Sequence, residues 1–306
     1  MSRAVMYETF GGPEVLELRE VPEPHAGAGE VRVRVAAVGL NPMDWVLAAM
    51  PEMAQRFGIT LPSRFATDFA GTVDEVGDGV SGFAVGDRVH GAATGRAAAD
   101  LVVVDPSGAD TLRRTPPEIG DEVAATLTIA GMTASAALTA VGVKAGDTVL
   151  IGGAAGGVGV FAVQLAELAG ARVIGTASEG TFDFLRQLGA EPVTYGPGLA
   201  DRVRAAAPDG VSAATDLFGT EAAEAALVLG VPPERISTIA APTPPEGVHA
   251  TGGADAQPED LQRITDAIVA GTLTVPIAAT FPIDRIREAV QLQAGRRVHG
   301  KIVVTL

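Results

Sequence analysis

The sequence predicts an α/β protein in which a β-rich first part is followed by a doubly wound parallel sheet. A glycine-rich stretch at 148–175, TVLIGGAAGGVGVFAVQLAELAGARVIG, has the order strand, tight turn, helix and strand, which a mononucleotide-binding βαβ unit requires. Strand and helix patterns alternate over 145–255, which is typical of a parallel sheet with helices on both faces. Residues 1–104 instead carry short alternating runs separated by glycines, a pattern that predicts a barrel-like β domain.

The β-rich part begins with three candidate strands, at 1–7, 15–18 and 30–37. In the third, valines alternate with Arg32 and Arg34, so we expect one apolar face and one polar face. The sequence therefore predicts a sheet with a buried side from the start of the chain.

A turn is expected at Asn41-Pro42, because the residue before a proline is disfavoured in the helical region. The pattern then favours a short helix or lid at 48–57 and glycine-bounded strands over 65–104. After Pro116-Pro117 the pattern becomes helical, and the uncharged run 123–143 is interpreted as one buried helix. Its Thr and Ala content would make a poor membrane span.

The second part repeats strand and helix in turn. Strands are predicted at 148–152, 171–176, 192–195, 213–217, 235–241 and 247–251, and helices at 157–169, 180–188, 199–206, 221–228 and 258–269. The last β segments, 272–281 and 301–306, flank a helix at 284–294 and are more like the first part. We therefore predict one domain from 1–118 and 256–306, and a second from 119–255.

The glycine-rich turn is a variant of the dinucleotide fingerprint. Gly153, Gly156 and Gly159 are spaced by threes, but a strict G-x-G-x-x-G is absent. Glycines allow a tight turn and a close approach of backbone N–H groups to a pyrophosphate, and the helix start adds partial positive charge. The alternative is a plain strand-to-helix connection; the flanking strands and helix favour the dinucleotide interpretation.

Composition narrows the function. The 306-residue chain contains no cysteine, which excludes disulfides, thiolate catalysis and Cys-ligated zinc. Its net charge of −15 argues against nucleic-acid and anionic-membrane surfaces and favours a small-molecule substrate. The first residues include Glu8 and lack an apolar core, so we expect no signal peptide and a cytoplasmic location.

Six motifs, in order along nearly the whole chain, resemble the medium-chain dehydrogenase/reductase superfamily, specifically its zinc-independent quinone oxidoreductase-like (enoyl reductase-like) branch. They are GLNPMDW at 39–45, TDFAGTVDEVGDGVSGFAVGDRV at 67–89, GMTASAAL at 131–138, AAGGVG at 154–159, LGAEPV at 188–193 and GKIVVTL at 300–306.

The resemblance implies a GroES-like β-barrel catalytic domain and a Rossmann domain, with an active site in the cleft between them. It implies NADPH-dependent reduction of quinones or of the C=C bond of α,β-unsaturated carbonyls, and a homodimer joined near 235–251. Zinc-dependent relatives need Cys and His ligands where this chain has Asn41 and Asp68, so no metal is expected. Two alternatives stay open: a biosynthetic, polyketide-type enoyl reductase or cyclase, and a non-catalytic NADPH-binding protein.

The candidate catalytic residues are Asn41, Asp44 and Thr133. Asn41 is interpreted as a hydrogen-bond donor near the nicotinamide or the substrate carbonyl, or alternatively as a capping residue of the turn. Asp44 orients another group or is a solvated turn residue, Asp68 is favoured as a buried structural acceptor, and Thr133 lies near the cofactor or bonds its own helix. The tyrosine that follows NPxD in many relatives is missing here.

The resemblance also assigns the ligand-binding residues. The predicted cofactor-binding residues are Asn41, Pro42, Thr133, Ala155, Gly156, Gly157, Val158, Gly159, Thr176, Ala177, Ser178, Tyr195, Phe218, Ala240, Ala241 and Lys301. The predicted substrate pocket is lined by Trp45, Met50, Met53 and Phe57, although core packing explains these four equally well. NADPH is favoured over NADH because Ser178 replaces the acid that binds a ribose 2′-hydroxyl, whereas Glu179 opposes a phosphate there.

Overall fold

The structure is a computed structural model that describes residues 1–108 and 110–306. The chain forms two compact units: the first unit contains residues 1–129 and 277–306, and the second unit contains residues 130–276. The chain therefore returns to its first unit at the carboxyl end. The predicted boundaries fall after residues 118 and 255. They assign 119–129 to the second unit and 256–276 to the first, whereas in the structure 119–129 packs in the first unit and 256–276 in the second.

The strands are β1 (Ser2–Tyr7), β2 (Glu17–Val21), β3 (Val31–Leu40), β4 (Ser63–Arg64), β5 (Asp68–Val76), β6 (Arg88–Ala92), β7 (Leu101–Val104), β8 (Thr111–Arg114), β9 (Thr148–Gly152), β10 (Arg172–Ala177), β11 (Glu191–Thr194), β12 (Ala213–Asp216), β13 (Ile236–Thr238), β14 (His249–Ala250), β15 (Ile277–Pro282) and β16 (Lys301–Thr305). The helices are α1 (Pro42–Ala49), α2 (Pro51–Arg56), α3 (Asp121–Ala124), α4 (Thr128–Ala140), α5 (Gly159–Leu168), α6 (Phe182–Gln187), α7 (Leu199–Ala206), α8 (Glu221–Val228), α9 (Asp260–Val269) and α10 (Ile286–Ala294).

The first unit is built on two sheets. One has the order β2-β1-β4, and the larger has the order β15-β16-β3-β5-β6-β8, with β7 also paired to β3. The long strand β3 pairs antiparallel with β5, β7 and β16, so the last strand of the chain completes the sheet that the first strands began. The predicted β-rich first part is confirmed.

The alternating pattern of β3 holds for its valines and for Arg34, but not for Arg32. Val31, Val33 and Val35 are buried and Arg34 is exposed, but Arg32 is only 8% exposed. Its guanidinium donates to Asp74 at 2.8 Å and forms ion pairs with Glu23 and Glu75. Because three carboxylates surround it, this arginine lies among polar partners rather than in water, and periodicity alone does not predict that.

Two helix predictions for the first unit were wrong in their extent. The expected helix at 48–57 is two helices, α1 and α2, because Pro51 lacks the N–H that a continuous helix needs and instead opens a new first turn. The expected single helix at 123–143 is also divided, into α3 and α4. At that break the Thr126 hydroxyl donates to the Val123 carbonyl at 2.7 Å, and Asp68 accepts the Ile129 N–H at 3.1 Å.

The second unit is a doubly wound parallel sheet, as predicted. Its strand order is β11-β10-β9-β12-β13-β14, and every pair is parallel. The glycine-rich stretch supplies β9 at the centre, then α5, then β10. The predicted strands and helices of 148–228 each end within two residues of the observed ones, whereas β13 is shorter than expected and ends at Thr238.

Side-chain packing explains where the units divide. The Gln164 side chain of α5 donates to the Thr274 carbonyl and accepts the Thr274 N–H, both at 2.8 Å. A Cβ on Gly131 would lie 2.9 Å from Ile264 of α9. These contacts hold 256–276 in the second unit. Within residues 1–108 and 110–306, no helix is both long enough and apolar enough to cross a bilayer.

Candidate functional site

The glycine turn after β9 forms a cradle in which two positions, Gly153 and Gly159, require glycine. Gly153 has φ +69°, and its N–H donates to the Thr176 hydroxyl at 3.0 Å. A Cβ on Gly159 would lie closer than 3.0 Å to the backbone oxygens of Gly153 and Ala154. Helix α5 therefore starts directly against the turn. The N–H groups of Val160, Phe161 and Ala162 already donate to the Gly156 and Val158 carbonyls, so a ligand would have to use peptide groups of the turn before Val160. Gly156, Gly157 and Val158 are partly exposed at this start, so the cradle fits a pyrophosphate.

The next strands bring further predicted cofactor residues to the same edge of the sheet. The parallel register pairs Ala177 of β10 with Thr194 of β11, so Ser178 and Tyr195 follow neighbouring strand ends. Tyr195 is 59% exposed, and the Ser178 hydroxyl lies 2.8 Å from the Thr181 hydroxyl. An exposed ring and a hydroxyl that follow neighbouring strand ends are a suitable surface for a nucleoside.

Phe218, Ala240 and Ala241 follow the ends of β12 and β13 at this edge. Phe218 is 56% exposed, and its Cβ would lie 3.1 Å from a Cβ placed on Gly153. The structure therefore places most of the predicted cofactor residues after the carboxyl ends of parallel strands, where doubly wound sheets bind their ligands. Thr133 is on α4 rather than after a strand, and it is 8% exposed.

Two residues that organise this edge were missed from the sequence. The buried Asp216 carboxylate accepts the N–H groups of Phe218, Gly219 and Ala222, at 3.0, 2.8 and 2.7 Å. An aspartate before a turn and a helix is a capping signal that was available in the sequence. The Arg202 guanidinium donates to the carbonyls of residues 194 to 197, a contact that no local pattern indicates.

A second candidate site is a buried polar cluster in the first unit, formed by Asn41, Asp44, Asp68 and Lys301. Their exposed fractions are 3%, 4%, 0% and 2%. The Lys301 ammonium donates to Asn41 Oδ1 at 2.6 Å and to the Leu40 carbonyl at 3.1 Å. The Asn41 amide nitrogen donates to Asp68 Oδ2 at 2.8 Å. The cluster thus joins β3, β5 and β16 at their ends.

The carboxylate of Asp44 anchors the start of α1. Its Oδ2 accepts the Asn41 N–H at 2.7 Å, and Pro42 fills the first helical position. Asp44 rather than Asn41 therefore provides the cap through its side chain. Asp68 is a buried structural acceptor, as favoured from the sequence, because it accepts from both Asn41 and the N-terminal backbone of α4.

Burial shifts the pKa of each ionisable member of the cluster. It raises the pKa of Asp44 to about 6, against the opposing Asn41 N–H, Thr67 hydroxyl and Lys301 charge. It raises the pKa of Asp68 to about 7, although Lys301 and Asn41 oppose it. Burial also lowers the pKa of Lys301, while the two carboxylates act in the other direction. The cluster therefore holds protons that titrate near neutral pH.

The predicted roles of this cluster remain predictions. The side-chain oxygen of Asn41 accepts from Lys301, and its side-chain nitrogen donates to Asp68. A ligand could therefore bind Asn41 only if these hydrogen bonds changed, or through the Asn41 backbone. Lys301, predicted to contact the cofactor, is likewise directed into the cluster. Asp44 and Asn41 are suited to positioning α1, and Asp44, whose pKa is raised by burial, is also suited to holding a proton.

The predicted substrate-pocket residues lie on α1 and α2. Met50 and Phe57 are 48% and 46% exposed, so they present apolar surface. Trp45 packs against the core of the first unit, and Arg296 lies over its ring at 5.9 Å. Met53 is partly exposed. Two of the four thus belong to the surface, and Trp45 belongs at least partly to the core.

The chain matches two family models: "Alcohol dehydrogenase GroES-like domain" over residues 27–101 and "Zinc-binding dehydrogenase" over residues 188–304. Among solved structures, an NAD-dependent alcohol dehydrogenase is 30% identical, covers 99% of each chain and superposes with a TM-score of 0.87. The chain belongs to the medium-chain dehydrogenase/reductase superfamily. The expected GroES-like and Rossmann domains are confirmed.

Other members of the superfamily that resemble this chain are named for quinones. The quinone oxidoreductase of Coxiella burnetii is 29% identical, covers 100% of this chain and 99% of its own, and has a TM-score of 0.87. A mycobacterial protein solved in complex with NADPH is 28% identical over 100% of both chains, also with a TM-score of 0.87. Within the superfamily, the chain is thus similar to a quinone oxidoreductase and to a protein that was solved with NADPH.

Two curated relatives match over less than two thirds of their own length. The chloroplast envelope quinone oxidoreductase homolog of Arabidopsis thaliana is 37% identical over 204 residues, which is 63% of this chain and 60% of the relative. The pikromycin polyketide synthase component PikAII of Streptomyces venezuelae is 33% identical over 306 residues, which is 93% of this chain and 8% of that synthase.

Proposed function

We propose that this oxidoreductase uses NADPH to reduce a quinone, or the C=C bond of an α,β-unsaturated carbonyl, without a metal. The observation that carries the proposal is the glycine cradle at Gly153–Gly159, on the ligand-binding edge of a parallel sheet. Relatives named as quinone oxidoreductases, and one relative solved with NADPH, support the same choice.

NADPH would supply a hydride, and this chain's residues would hold it. The peptide groups of the turn before Val160 would receive the pyrophosphate, with Ser178 and Tyr195 beside the adenosine. β10 ends at Ala177 and is followed by Ser178 rather than by the acid that binds a free 2′-hydroxyl, which favours NADPH. The exposed Glu179 would repel a 2′-phosphate and is the feature that favours NADH, which stays as the weaker candidate.

The residues present do not fit a catalytic zinc. Zinc needs thiolate, imidazole or carboxylate donors in a tetrahedral set, whereas the Lys301 ammonium lies 2.6 Å from Asn41 Oδ1 and Asp68 bonds Asn41 and Ile129. A cation that is part of the chain already takes the acceptor oxygen of Asn41. Zinc binding in the name of the matched family model is therefore not carried over to this chain.

Chemistry without a metal favours conjugate reduction. Hydride addition to a saturated carbonyl concentrates charge on one oxygen and calls for a strong electrophile. Addition to an enone or a quinone spreads the charge over a conjugated system, so positioning and hydrogen bonds suffice. We retain Asn41, Asp44 and Thr133 as candidates for positioning the conjugated substrate or forming hydrogen bonds with it. Asp44 would hold a proton close to α1.

The second candidate is an enoyl reductase of polyketide type. It is favoured by the match to the synthase PikAII, which spans 93% of this chain. Such an enzyme would reduce an enoyl thioester and leave simple quinones almost untouched. A non-catalytic NADPH-binding protein would consume no NADPH with either substrate.

The test measures NADPH oxidation by the purified protein with 1,4-benzoquinone, trans-2-hexenal and a crotonyl thioester, before and after treatment with a chelator. The proposal expects turnover of the quinone or the enal at a rate that the chelator does not change. Turnover of the thioester alone would favour the second candidate. NADPH binding without turnover of any of the three would contradict both.

We also propose a homodimer and a cytoplasmic location. The edge strand β14 pairs with β13 and consists of two exposed residues, His249 and Ala250, which leaves its other edge for a second copy. Light scattering on a gel-filtration column would give the mass of a dimer, and a monomer at all concentrations would contradict the prediction.

A further inference from the structure

Two loops on the ligand-binding edge of the parallel sheet are joined by one buried hydroxyl group. Thr238 is the last residue of β13 and is 1% exposed. Its hydroxyl donates at 3.1 Å to the carbonyl of Gly219, which lies in the loop after β12. The same oxygen accepts the N–H group of Ala241 at 3.2 Å and, at a longer 3.4 Å, that of Ala240. All of these residues belong to the second unit.

The hydroxyl of Thr238 is fully used by these contacts. A hydroxyl group has one hydrogen to donate and two lone pairs to accept with. The hydrogen is used by Gly219, and the lone pairs are used by the two N–H groups of the next loop. Separating the loops would leave these polar groups without partners, which is costly in a buried place. The side chain therefore fixes the two loops relative to each other.

The loop after β12 is held at further points. The Asp216 carboxylate accepts the N–H groups of Phe218 and Gly219, and the Leu217 N–H donates to the Gly152 carbonyl at 3.1 Å. Three consecutive N–H groups of this loop are thus bound inside the protein. What the loop offers a ligand is mainly the ring of Phe218, which is 56% exposed.

The loop after β13 is held in a similar way. The Ile239 N–H donates to the Asp216 carbonyl at 3.1 Å, and the next two N–H groups are directed to the Thr238 hydroxyl. Ala240 is exposed, and Ile239 and Ala241 are partly exposed. The two loops together present four apolar side chains, which we call the apolar wall: Phe218, Ile239, Ala240 and Ala241.

The strand order indicates which part of a dinucleotide meets the apolar wall. The order is β11-β10-β9-β12-β13, so the glycine turn after β9 lies between two pairs of strands. The proposed adenosine residues, Ser178 and Tyr195, follow β10 and β11 on one side of that turn. A dinucleotide that lies across such a sheet, with its pyrophosphate at the central turn, has its two nucleosides on opposite sides. The nicotinamide riboside then falls on the side of β12 and β13.

The apolar wall suits a flat ring with two apolar faces. Aromatic side chains such as Phe218 pack well against another ring, and the alanine side chains leave room beside it. A wall of fixed shape binds more tightly than one that must first be ordered, because ordering a loop costs free energy. The shape of this wall depends on the hydrogen bonds of Thr238 to both loops.

We propose that Thr238 is a positioning residue for the nicotinamide half of the cofactor: its hydroxyl joins the loops after β12 and β13 into one wall that receives the nicotinamide ring. The inference rests on the proposed function and deepens it, because it names a residue that shapes one half of the cofactor site. Thr238 touches neither the cofactor nor the substrate, and it takes no part in hydride transfer.

Titration calorimetry with two ligands tests this role. One ligand is NADPH. The other is 2′-phospho-ADP-ribose, which keeps the adenosine, the 2′-phosphate, the pyrophosphate and the second ribose but has no nicotinamide. Thr238→Val replaces the hydroxyl by a methyl group of similar size, and Thr238→Ser keeps the hydroxyl. Ser237→Ala is the matched control, since Ser237 is the preceding residue, is 0% exposed and donates its hydroxyl to the Ala137 carbonyl of α4 at 3.0 Å.

We expect the wild type, Thr238→Ser and Ser237→Ala to bind NADPH at least about fivefold more tightly than 2′-phospho-ADP-ribose, which corresponds to about 1 kcal/mol. In Thr238→Val this preference should fall below about twofold, with the affinity for 2′-phospho-ADP-ribose nearly unchanged. The fluorescence of the reduced nicotinamide gives a second readout. Its blue shift on transfer of the ring out of water should be smaller in Thr238→Val than in the wild type, at saturating protein.

Four results would overturn the role of Thr238. They are a preference in Thr238→Val equal to that of the wild type, an equal weakening of both ligands in Thr238→Val, the same loss of preference in Ser237→Ala, and no preference for NADPH in the wild type. Thermal unfolding of each variant checks that it is folded. If Thr238→Val does not fold, Thr238→Ala, which also removes the hydroxyl, carries the test by the same criteria.

Turnover separates this inference from the proposed function. If the wild type reduces the quinone or the enal with NADPH while Thr238→Val keeps the preference, the proposed function stands and the role of Thr238 fails. If the preference depends on Thr238 but the wild type reduces neither substrate, the role of Thr238 stands and the proposed reaction fails. If the wild type binds neither ligand, the nucleotide site at the glycine turn fails, and the inference fails with it.

Discussion

At the scale of residues, two contacts shape the candidate sites, and only one of them can be predicted from the neighbouring sequence. Gly159 is essential to the cradle because backbone oxygens of Gly153 and Ala154 lie where a Cβ would be. Asn41 and Lys301 meet although they are 260 positions apart. The first relation follows from a glycine pattern and is predictable. The second depends on β16 joining β3, so only the folded chain shows it.

The substitution Gly159→Ala is expected to weaken NADPH binding at least tenfold, which corresponds to about 1.4 kcal/mol. The added methyl would displace the turn away from the phosphates, because its position is closer than 3.0 Å to two backbone oxygens. Titration calorimetry measures the affinity. Gly120→Ala is the control, since a Cβ there meets no atom within 4 Å and Gly120 is not among the proposed cofactor residues. Unchanged affinity in Gly159→Ala would place the pyrophosphate elsewhere.

The substitution Asp44→Asn is expected to flatten the dependence of stability on pH. The pKa of Asp44 is raised from 3.8 to about 6 in the folded protein, so its contribution is fully present below pH 3.8 and is lost as pH rises through about 6. The loss is up to about 3 kcal/mol, at 1.36 kcal/mol for each pKa unit. Asparagine does not titrate, and its side-chain oxygen can still accept the Asn41 N–H.

Urea unfolding at pH 4, 5, 6 and 7 measures this effect. The free energy of unfolding should fall less between pH 4 and 6 in Asp44→Asn than in the wild type. Asp78→Asn, which removes an exposed carboxylate from a turn of the same unit, serves as the control. Parallel pH curves for the wild type and Asp44→Asn would show that Asp44 titrates as it does in water.

At the scale of elements, the edge of the parallel sheet is shaped by connections rather than by strands. The loop after β11 presents Tyr195, and Arg202 of α7 donates to four consecutive carbonyls of that region, at 2.8 to 3.1 Å. On the other side of the sheet centre, Asp216 fixes the turn before α8. Strand ends are predictable from apolar runs, but the side chains that hold the loops are not.

The substitution Arg202→Gln is expected to loosen residues 194–198 and to raise the Kd for NADPH several-fold without changing kcat. Each hydrogen bond from a charged donor contributes about 1.5–3 kcal/mol, although an exposed loop recovers part of this from water. Hydrogen exchange at 196–198 and NADPH titration measure the two effects. Arg204→Gln removes an exposed arginine that pairs with Asp201 on the same helix, and it should leave both unchanged. Equal exchange rates in the wild type and Arg202→Gln would exclude the clamp.

At the scale of the whole molecule, periodicity predicts most of the fold. The alternation of strand and helix over 148–228 fixes a parallel sheet, and the last segment of the chain returns to the first unit as expected. The unit boundaries differ from the prediction because they depend on packing. Ile264 lies against Gly131, and the backbone of Thr274 is hydrogen-bonded to the Gln164 side chain, so both residues belong to the second unit. The helix breaks at Pro51 and at 125–127 were missed. The pattern of apolar residues indicates which segments are buried more reliably than it indicates where a helix is interrupted.

The candidate site was predictable to a similar degree. The ligand-binding edge of the sheet follows from where strands end, and the glycine turn marks it in the sequence. The buried cluster of Asn41, Asp44, Asp68 and Lys301 brings together α1 and the ends of β3, β5 and β16, so its composition depends on tertiary contacts. The absence of cysteine from the sequence indicated chemistry without a Cys-ligated metal, but only the folded chain shows an ammonium group at Asn41.

The central claim is that a nicotinamide nucleotide rests on the peptide groups of the Gly153–Gly159 turn, and titration of NADPH into the wild-type protein, with NADH in parallel, tests it most directly. We predict saturable binding of one NADPH per chain, tighter than that of NADH. A Kd of about 1 mM corresponds to a binding free energy of only about −4.1 kcal/mol. The absence of binding heat for both nucleotides up to that concentration would contradict the account.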